Sequence, residues 1–314
     1  MVENFLRVDS LDALQDRRPT FLAIGVFDGV HLGHQQLLSD MVAAAQAAGA
    51  RPAVLTFFPH PMVVIRNLRG RIYLTTLSHR VTLLSRLGIE LVVVHPFNDE
   101  VRTTRAADFV DRLCAAMELR ELWGGSFSLG YQREGTAEYL SELGAERGFA
   151  VRVIDDLVSV NGKRVSSSRI RQVLADGNIE ETNRCLGRRF QVEGTVVRGD
   201  QRGRLLGYHT ANLAVWEQQI LPANGVYATY AYLGGERFDA ATNVGVRPTV
   251  NGTAMMVEAH LLDFDREIYG ESLALEFVHR IRPERKFPGL DALKAQIAED
   301  VTTIRALLSG AGGS

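Results

Sequence analysis

The chain is poor in residues that would point to metal, disulfide or membrane chemistry. Cys114 and Cys185 are its only cysteines. They stand far apart, with no second ligand at metal-binding spacing, which argues against both a zinc ribbon and a disulfide framework. Lysine is scarce as well, confined to Lys163, Lys286 and Lys294, so arginine supplies nearly all the positive charge of the 314 residues. The formal charge is only −2; it gives no general attraction to nucleic acid or acidic membranes, and any phosphate binding has to be local. No apolar run reaches the length of a membrane span. The opening Met1–Asp9 lacks the basic-then-apolar pattern of a secretory signal. The expectation is a cytoplasmic protein with no nucleic-acid or membrane partner, monomeric or weakly self-associating. Its 46% hydrophobic and 23% charged content is that of an ordinary globular chain, and its length suggests two domains.

What is present falls into two textures. In the first half, apolar runs (Phe21–Val26, Arg51–Phe58, Glu90–His95, Glu121–Trp123, Ala150–Ile154) alternate with stretches of helical periodicity: one from Gln35, then Ser78–Leu87, Ala106–Met117 and Thr136–Arg147. This rhythm predicts a doubly wound parallel sheet, which binds its ligands beyond the carboxyl ends of the strands. Past Gly187, segments of alternating character separated by Gly and Pro predict an antiparallel barrel of about six strands, closed by a helix over Asp291–Leu308. Two short helices, Ser167–Ala175 and Ile179–Leu186, join the halves. The domain boundary is therefore set between residues 186 and 187.

The most informative motif is Phe27-Asp28-Gly29-Val30-His31-Leu32-Gly33-His34, between the first strand and its helix. Backbone N–H groups and the helix dipole at such a turn favour anions, Gly25 and Gly29 allow close approach, and two imidazoles add donors. A competing reading makes the histidines simple helix caps. Ser166-Ser167-Ser168-Arg169-Ile170-Arg171 offers a second anion-binding helix start, with hydroxyls and an arginine one turn on. Two such starts suit a triphosphate. In the second half, Gly199–Asn212 carries Gly203, Arg204 and Gly207, spaced as in a loop lying over phosphates, and then Thr210 and Asn212, oxygen donors of the kind Mg²⁺ accepts.

Three strings of the first half, Gly25–His34, Thr56-Phe-Phe-Pro-His-Pro61 and Val165–Arg171, resemble the adenylyltransferase module of bacterial bifunctional riboflavin kinase/FAD synthetases. The later strings Thr210-Ala-Asn212, Asn243–Thr249, Val257–Phe264 and Arg282–Phe287 resemble the family's kinase barrel. The resemblance implies a Rossmann-like HxGH nucleotidyltransferase domain and a six-stranded barrel. It also implies Mg²⁺-dependent conversion of riboflavin to FMN and of FMN to FAD, with ATP as co-substrate and FMN and FAD as products rather than prosthetic groups.

Carried over by residue, it gives His31 and His34 to the ATP phosphates, with Gly25, Phe27, Asp28 and Gly29 around the nucleotide. It gives Ser166, Ser167, Ser168 and Arg171 to the phosphates that leave as pyrophosphate, and Phe58, Pro59, His60 and Arg133 to the flavin. In the barrel it gives Gly203, Arg204 and Gly207 to the second nucleotide, Thr210 and Asn212 to the metal, and Glu258 to catalysis as the base. Chemistry is consistent with that division. FMN attacks as a phosphate anion and needs alignment and charge neutralisation, whereas the ribityl hydroxyl of riboflavin must lose a proton. Two departures stand out: His209 where the family usually has Pro, and Ser126 and Leu129 where it has Asp and an aromatic. They leave open a nucleotidyltransferase with one activity weakened or lost, and a non-catalytic flavin-binding regulator.

Overall fold

A computed structural model describes residues 5–14, 17–154, 158–199, 208–249 and 252–310. The chain divides into two compact units: one runs through Gly70 and resumes over Thr76–Val165; the other comprises Arg71–Thr75 and the residues from Ser166 onward.

The first unit contains β1 (Leu6–Val8), β2 (Pro19–Ile24), α1 (Leu32–Ala47), β3 (Arg51–Phe58), α2 (Pro61–Arg66), α3 (Leu77–Arg86), β4 (Leu91–Pro96), α4 (Asp99–Thr103), α5 (Ala106–Ala116), β5 (Glu118–Gly124), α6 (Ala137–Arg147), β6 (Ala150–Val153) and the ribbon β7 (Ser159–Val160) and β8 (Lys163–Arg164). Six strands pair in the order β1-β4-β3-β2-β5-β6, all parallel. Their apolar runs are continuous because both faces are covered. Phe21, Ala23, Val54, Val92 and Val94 pack on one side with Leu38, Met41 and Val42 of α1 and Val81 and Leu84 of α3. Leu22, Leu55, Leu91 and Val93 pack on the other with Phe109 and Leu113 of α5 and Leu140 of α6. The doubly wound sheet expected from the sequence is present. It gains an edge strand, β1, which is too short and exposed to show periodicity in the sequence.

Successive connections leave β2 toward β3 on one side, and β5 then returns to its other flank. That reversal makes a crevice beyond the carboxyl end of β2. The turns after β2, β3 and β5 all open at this end, because β3 and β5 are the two hydrogen-bonded neighbours of β2.

The second unit contains α7 (Ser167–Ala175), α8 (Ile179–Leu186), β9 (Phe190–Val197), β10 (Ala211–Val215), β11 (Gly225–Leu233), β12 (Glu236–Thr249), β13 (Gly252–Leu261), β14 (Ser272–Pro283) and α9 (Leu290–Gly310). The strands close a barrel in the order β10-β13-β12-β11-β14-β9, with every pairing antiparallel. The sixth strand is β10, in a segment that reads in sequence only as the end of a glycine-rich loop. Val226, Ala228 and Tyr230 of β11 pack under Ile304 and Leu308 of α9 on the outer face. Between them Tyr227 and Thr229 are fully buried, and Thr229 shares a hydrogen bond of 2.7 Å with Thr242 of β12. The linking helices α7 and α8 belong to this unit. Ala223 N–H donates to Leu174 O of α7, and Asn183 of α8 bonds Phe277 O of β14 and Phe190 N–H of β9.

Candidate active sites

The histidine motif straddles the start of α1. The helix begins at Leu32, earlier than the Gln35 start read from periodicity, because His31 is itself the N-cap. Its Nδ1 accepts the His34 N–H at 3.4 Å. An accepting Nδ1 puts the ring proton on Nε2, which makes that atom a donor. The cap and the anion-binding reading therefore coexist. The two imidazoles stack at 3.6 Å with planes 16° apart, and Phe27 meets His34 edge-on at 5.2 Å. Phe27 and Val30 adopt φ of 51° and 39° beside Gly29 at 83°. Left-handed values at two non-glycine residues are strain that the surroundings must hold. The Phe27 ring folds onto Gly25, where an added Cβ would meet it at 3.0 Å.

Of the residues expected around the nucleotide, Phe27 and Asp28 are buried. Asp28 faces Arg80 of α3, with Nη2 to Oδ1 3.5 Å, so its carboxylate is turned inward. Of the flavin candidates, Phe58 ends β3 and Pro59 and His60 follow it, and His60 Nδ1 caps α2 by accepting the Met62 N–H at 3.0 Å. Arg133 is exposed in the loop after β5, where it and Gln132 hold left-handed φ values of 63° and 54°. Three contacts fix that loop. Leu129 and Gly135 exchange backbone bonds of 3.2 and 2.8 Å. Gly130 lies where any Cβ would meet Ala106 N at 2.5 Å. Glu134 accepts from the Ala106 N–H and the Arg105 guanidinium, and these bonds hold its carboxyl below the usual range.

In the second unit Ser166 caps α7 by accepting the Arg169 N–H at 3.2 Å. Arg169 pairs with the buried Glu181, which also holds Arg184. Arg171 donates through Nε to Ile72 O at 2.6 Å, so its fork is oriented by the strap Arg71–Thr75, itself bonded along Gln218–Ile220.

The barrel register brings Asn212 of β10 directly opposite Glu258 of β13, and Glu258 opposite Asn243 of β12. Residues opposed across a ladder share a face. Asn243 in turn opposes Val226, which lies on the face covered by α9, so the trio sits on the barrel's outer surface. Asn243 belongs to a string noted in the sequence without a role; its place beside Glu258 is a product of register alone. Gly199 gives Asn212 its space, since a Cβ there would lie 2.3 Å from Nδ2. Thr210 immediately precedes β10, and Asn212 is the second residue of that strand. Among the described residues no three His, Cys, Asp or Glu side chains converge as a metal cage. The donor set here instead suits Mg²⁺ shared with nucleotide phosphates, which keeps several waters and few protein ligands. Gly203, Arg204 and Gly207 lie outside the described residues.

A cleft of about 450 Å³ is lined by the strand neighbours of this row rather than by the row itself. Val196, Ala211, Ala259 and Leu261 give it apolar lining, and Arg198, His209 and Thr210 give it polar lining. The His209 carbonyl bonds His260 Nδ1 at 2.8 Å.

Comparison with known proteins follows the same division. Residues 13–169 match the family model described as FAD synthetase, and residues 186–308 match the one described as riboflavin kinase. Curated relatives named bifunctional riboflavin kinase/FMN adenylyltransferase include that of Listeria monocytogenes, 36% identical over 291 residues and 92% of each chain. That of Bacillus subtilis is 33% identical over 292 residues, 91% of this chain and 92% of its own. That of Escherichia coli K12 is 35% identical over 287 residues, 90% and 91%. A solved structure described as a macrolide-efflux protein from Streptococcus pneumoniae superposes with a TM-score of 0.87 at 28% identity, covering 96% of this chain and 99% of its own. Among the described residues no helix is long and apolar enough to cross a membrane. With a relative 36% identical over nine-tenths of both chains, the chain belongs to the family of bifunctional riboflavin kinase/FMN adenylyltransferases.

Proposed function

We propose that this chain phosphorylates riboflavin to FMN and adenylylates FMN to FAD, using one ATP in each step and releasing ADP and then pyrophosphate. The observation that carries the reading is the register Asn212–Glu258–Asn243, which sets a carboxylate between two amides on one face of the barrel.

In the kinase step Glu258 takes the proton of the ribityl hydroxyl as that oxygen attacks the γ-phosphorus. An alcohol is too weak a nucleophile without an acceptor for its proton. Thr210 and Asn212 would hold Mg²⁺ through neutral oxygens, and the ion would supply neutralisation of the phosphate charge.

In the adenylyl step the FMN phosphate attacks the α-phosphorus, and no base is required. His31 contributes its Nε2–H and the α1 N-terminus its backbone donors to phosphate oxygens. By the family pattern Ser166, Ser167, Ser168 and Arg171 take the departing phosphates, and Phe58, Pro59, His60 and Arg133 take the flavin. The same proposal places the enzyme in the cytoplasm, where both substrates and ATP are at hand, acting as a monomer or weak oligomer.

Chromatography of the flavins formed over time from riboflavin, ATP and Mg²⁺ tests the reading. FMN should rise first and FAD should follow. FMN without FAD would retire the adenylyl assignment, and no FMN would retire the kinase assignment.

A further inference from the structure

Among the described residues Arg80 is the largest fully buried side chain, with no solvent exposure at all. A guanidinium taken out of water is strongly unfavourable unless its charge and donors are matched. Three groups that match it lie in β3 and in the turn after β2, the segments that carry the first site. Its Nη1 donates to the Val26 carbonyl at 3.0 Å and lies 3.4 Å from Thr56 Oγ1. Thr56 Oγ1 donates to the same Val26 carbonyl at 2.9 Å. Its Nη2 stands 3.5 Å from Asp28, itself only 1% exposed. One side chain of α3 thus ties the last residue before the histidine turn, the acid within that turn, and the strand leading to Phe58-Pro59-His60.

The turn it ties is the strained one. Phe27 and Val30 hold left-handed φ on either side of Asp28, and a short loop holds such values only where its surroundings over-determine them. Because Asp28 offsets its charge, Arg80 adds little net attraction for phosphate. What it supplies is position.

We propose that Arg80 is a positioning residue for adenylyl transfer. Acting through Val26 and Asp28, it locks the Phe27–His34 turn so that His31 and the first N–H groups of α1 are preset for the triphosphate. The inference rests on the adenylyltransferase reading of this unit. It also reassigns Asp28 from nucleotide contact to the inner half of this lock.

The test uses the full chain, whose riboflavin kinase activity reports on folding from the other unit. FAD formation from supplied FMN and ATP by the unsubstituted protein tests the underlying reading, and its absence would sink that reading independently of Arg80. Arg80→Lys keeps the charge but cannot span the three acceptors. It should lower kcat for FAD formation at least about fivefold, with KM for FMN within twofold and riboflavin phosphorylation unchanged. Asp28→Asn should act alike, and the double variant should be no worse than the weaker single one, because both remove the same lock. Wild-type FAD formation by Arg80→Lys would overturn the proposal. So would single losses that multiply in the double variant, which would mean Asp28 touches the nucleotide directly. A loss of FAD formation that merely tracks a fall in thermal midpoint, and returns when Arg80→Lys is assayed well below its midpoint, would reduce Arg80 to a fold-stabilising residue and overturn it as well.

Discussion

The two units meet ATP with opposite equipment. The parallel unit offers donors: an imidazole cap and a helix start, with a buried lock beneath them. The barrel offers a carboxylate between two amides, with neutral oxygens for a metal. The difference follows from the acceptor. A phosphate ester arrives already ionised, so its site has only to align it and neutralise the leaving charge. An alcohol arrives protonated, so its site needs a base. Scaffold follows chemistry here. A parallel sheet gathers loops and helix starts at one end, whereas an antiparallel ladder sets side chains of distant segments directly opposite each other.

That contrast breaks most visibly at Glu258. Glu258→Gln keeps shape and hydrogen bonding but removes the base, and should slow FMN formation by about 10²–10⁴-fold, with FAD formation from supplied FMN within about twofold of wild type. Loss of both activities in a folded protein would refute the division of labour. The converse is His31→Ala. Removing one preset donor should cost about 10²–10³ in FAD formation, and loss of the cap about 1 kcal/mol in stability of the first unit. The kinase rate should not move.

Gly199→Ala probes the metal side of the barrel. A Cβ at 2.3 Å from Asn212 Nδ2 must displace the amide, so the Mg²⁺ concentration for half-maximal FMN formation should rise about 10–100-fold, as for other groups that orient a metal ligand. Adenylyl transfer again serves as the control. His209→Pro should act in the opposite direction and more gently. By stiffening the entry to β10 it should lower KM for ATP in the kinase step about two- to fivefold, read from initial rates.

The smallest effect concerns stability. His95 of β4 is buried beside Phe57 and Phe109 and accepts the Leu11 N–H on Nδ1. Burial, aided by the charge of Arg112, lowers its pKa below the ordinary 6.5. The unfolded chain therefore takes up a proton at this residue first as pH falls. The first unit should hold its stability above about pH 6.5 and lose it progressively below, down through the lowered folded value. His95→Asn keeps an acceptor for Leu11 and should flatten that part of the thermal midpoint's pH dependence. The barrel lacks a counterpart among its described residues, since His209 is exposed and His260 and His279 are only half-buried.

Legibility differed between the units for the same physical reasons. Strands β2, β3 and β4 were readable because burial on both faces makes an apolar run, and α5 and α6 because their inward faces repeat at helical spacing. Strand β10 was hidden, since its residues Ala211–Val215 follow a run of glycines and its partners lie far away in sequence. Arg80 was hidden too. In a helix an arginine reads as solvated surface, and nothing local reveals that its partners, Val26 and Asp28, are some fifty residues upstream.

By itself the sequence determined the chemistry available: which segments carry imidazoles, hydroxyls, oxygen donors and a carboxylate, and the alternation that makes one half a parallel sheet and the other a barrel. Those are local properties, fixed by residue type and spacing. Only the tertiary structure decided which of these groups meet. It made His31 a cap and a donor at once, turned Asp28 inward to Arg80, and set Glu258 between Asn212 and Asn243. Each of those outcomes depends on register or burial across elements distant in the chain, and no window of sequence contains them.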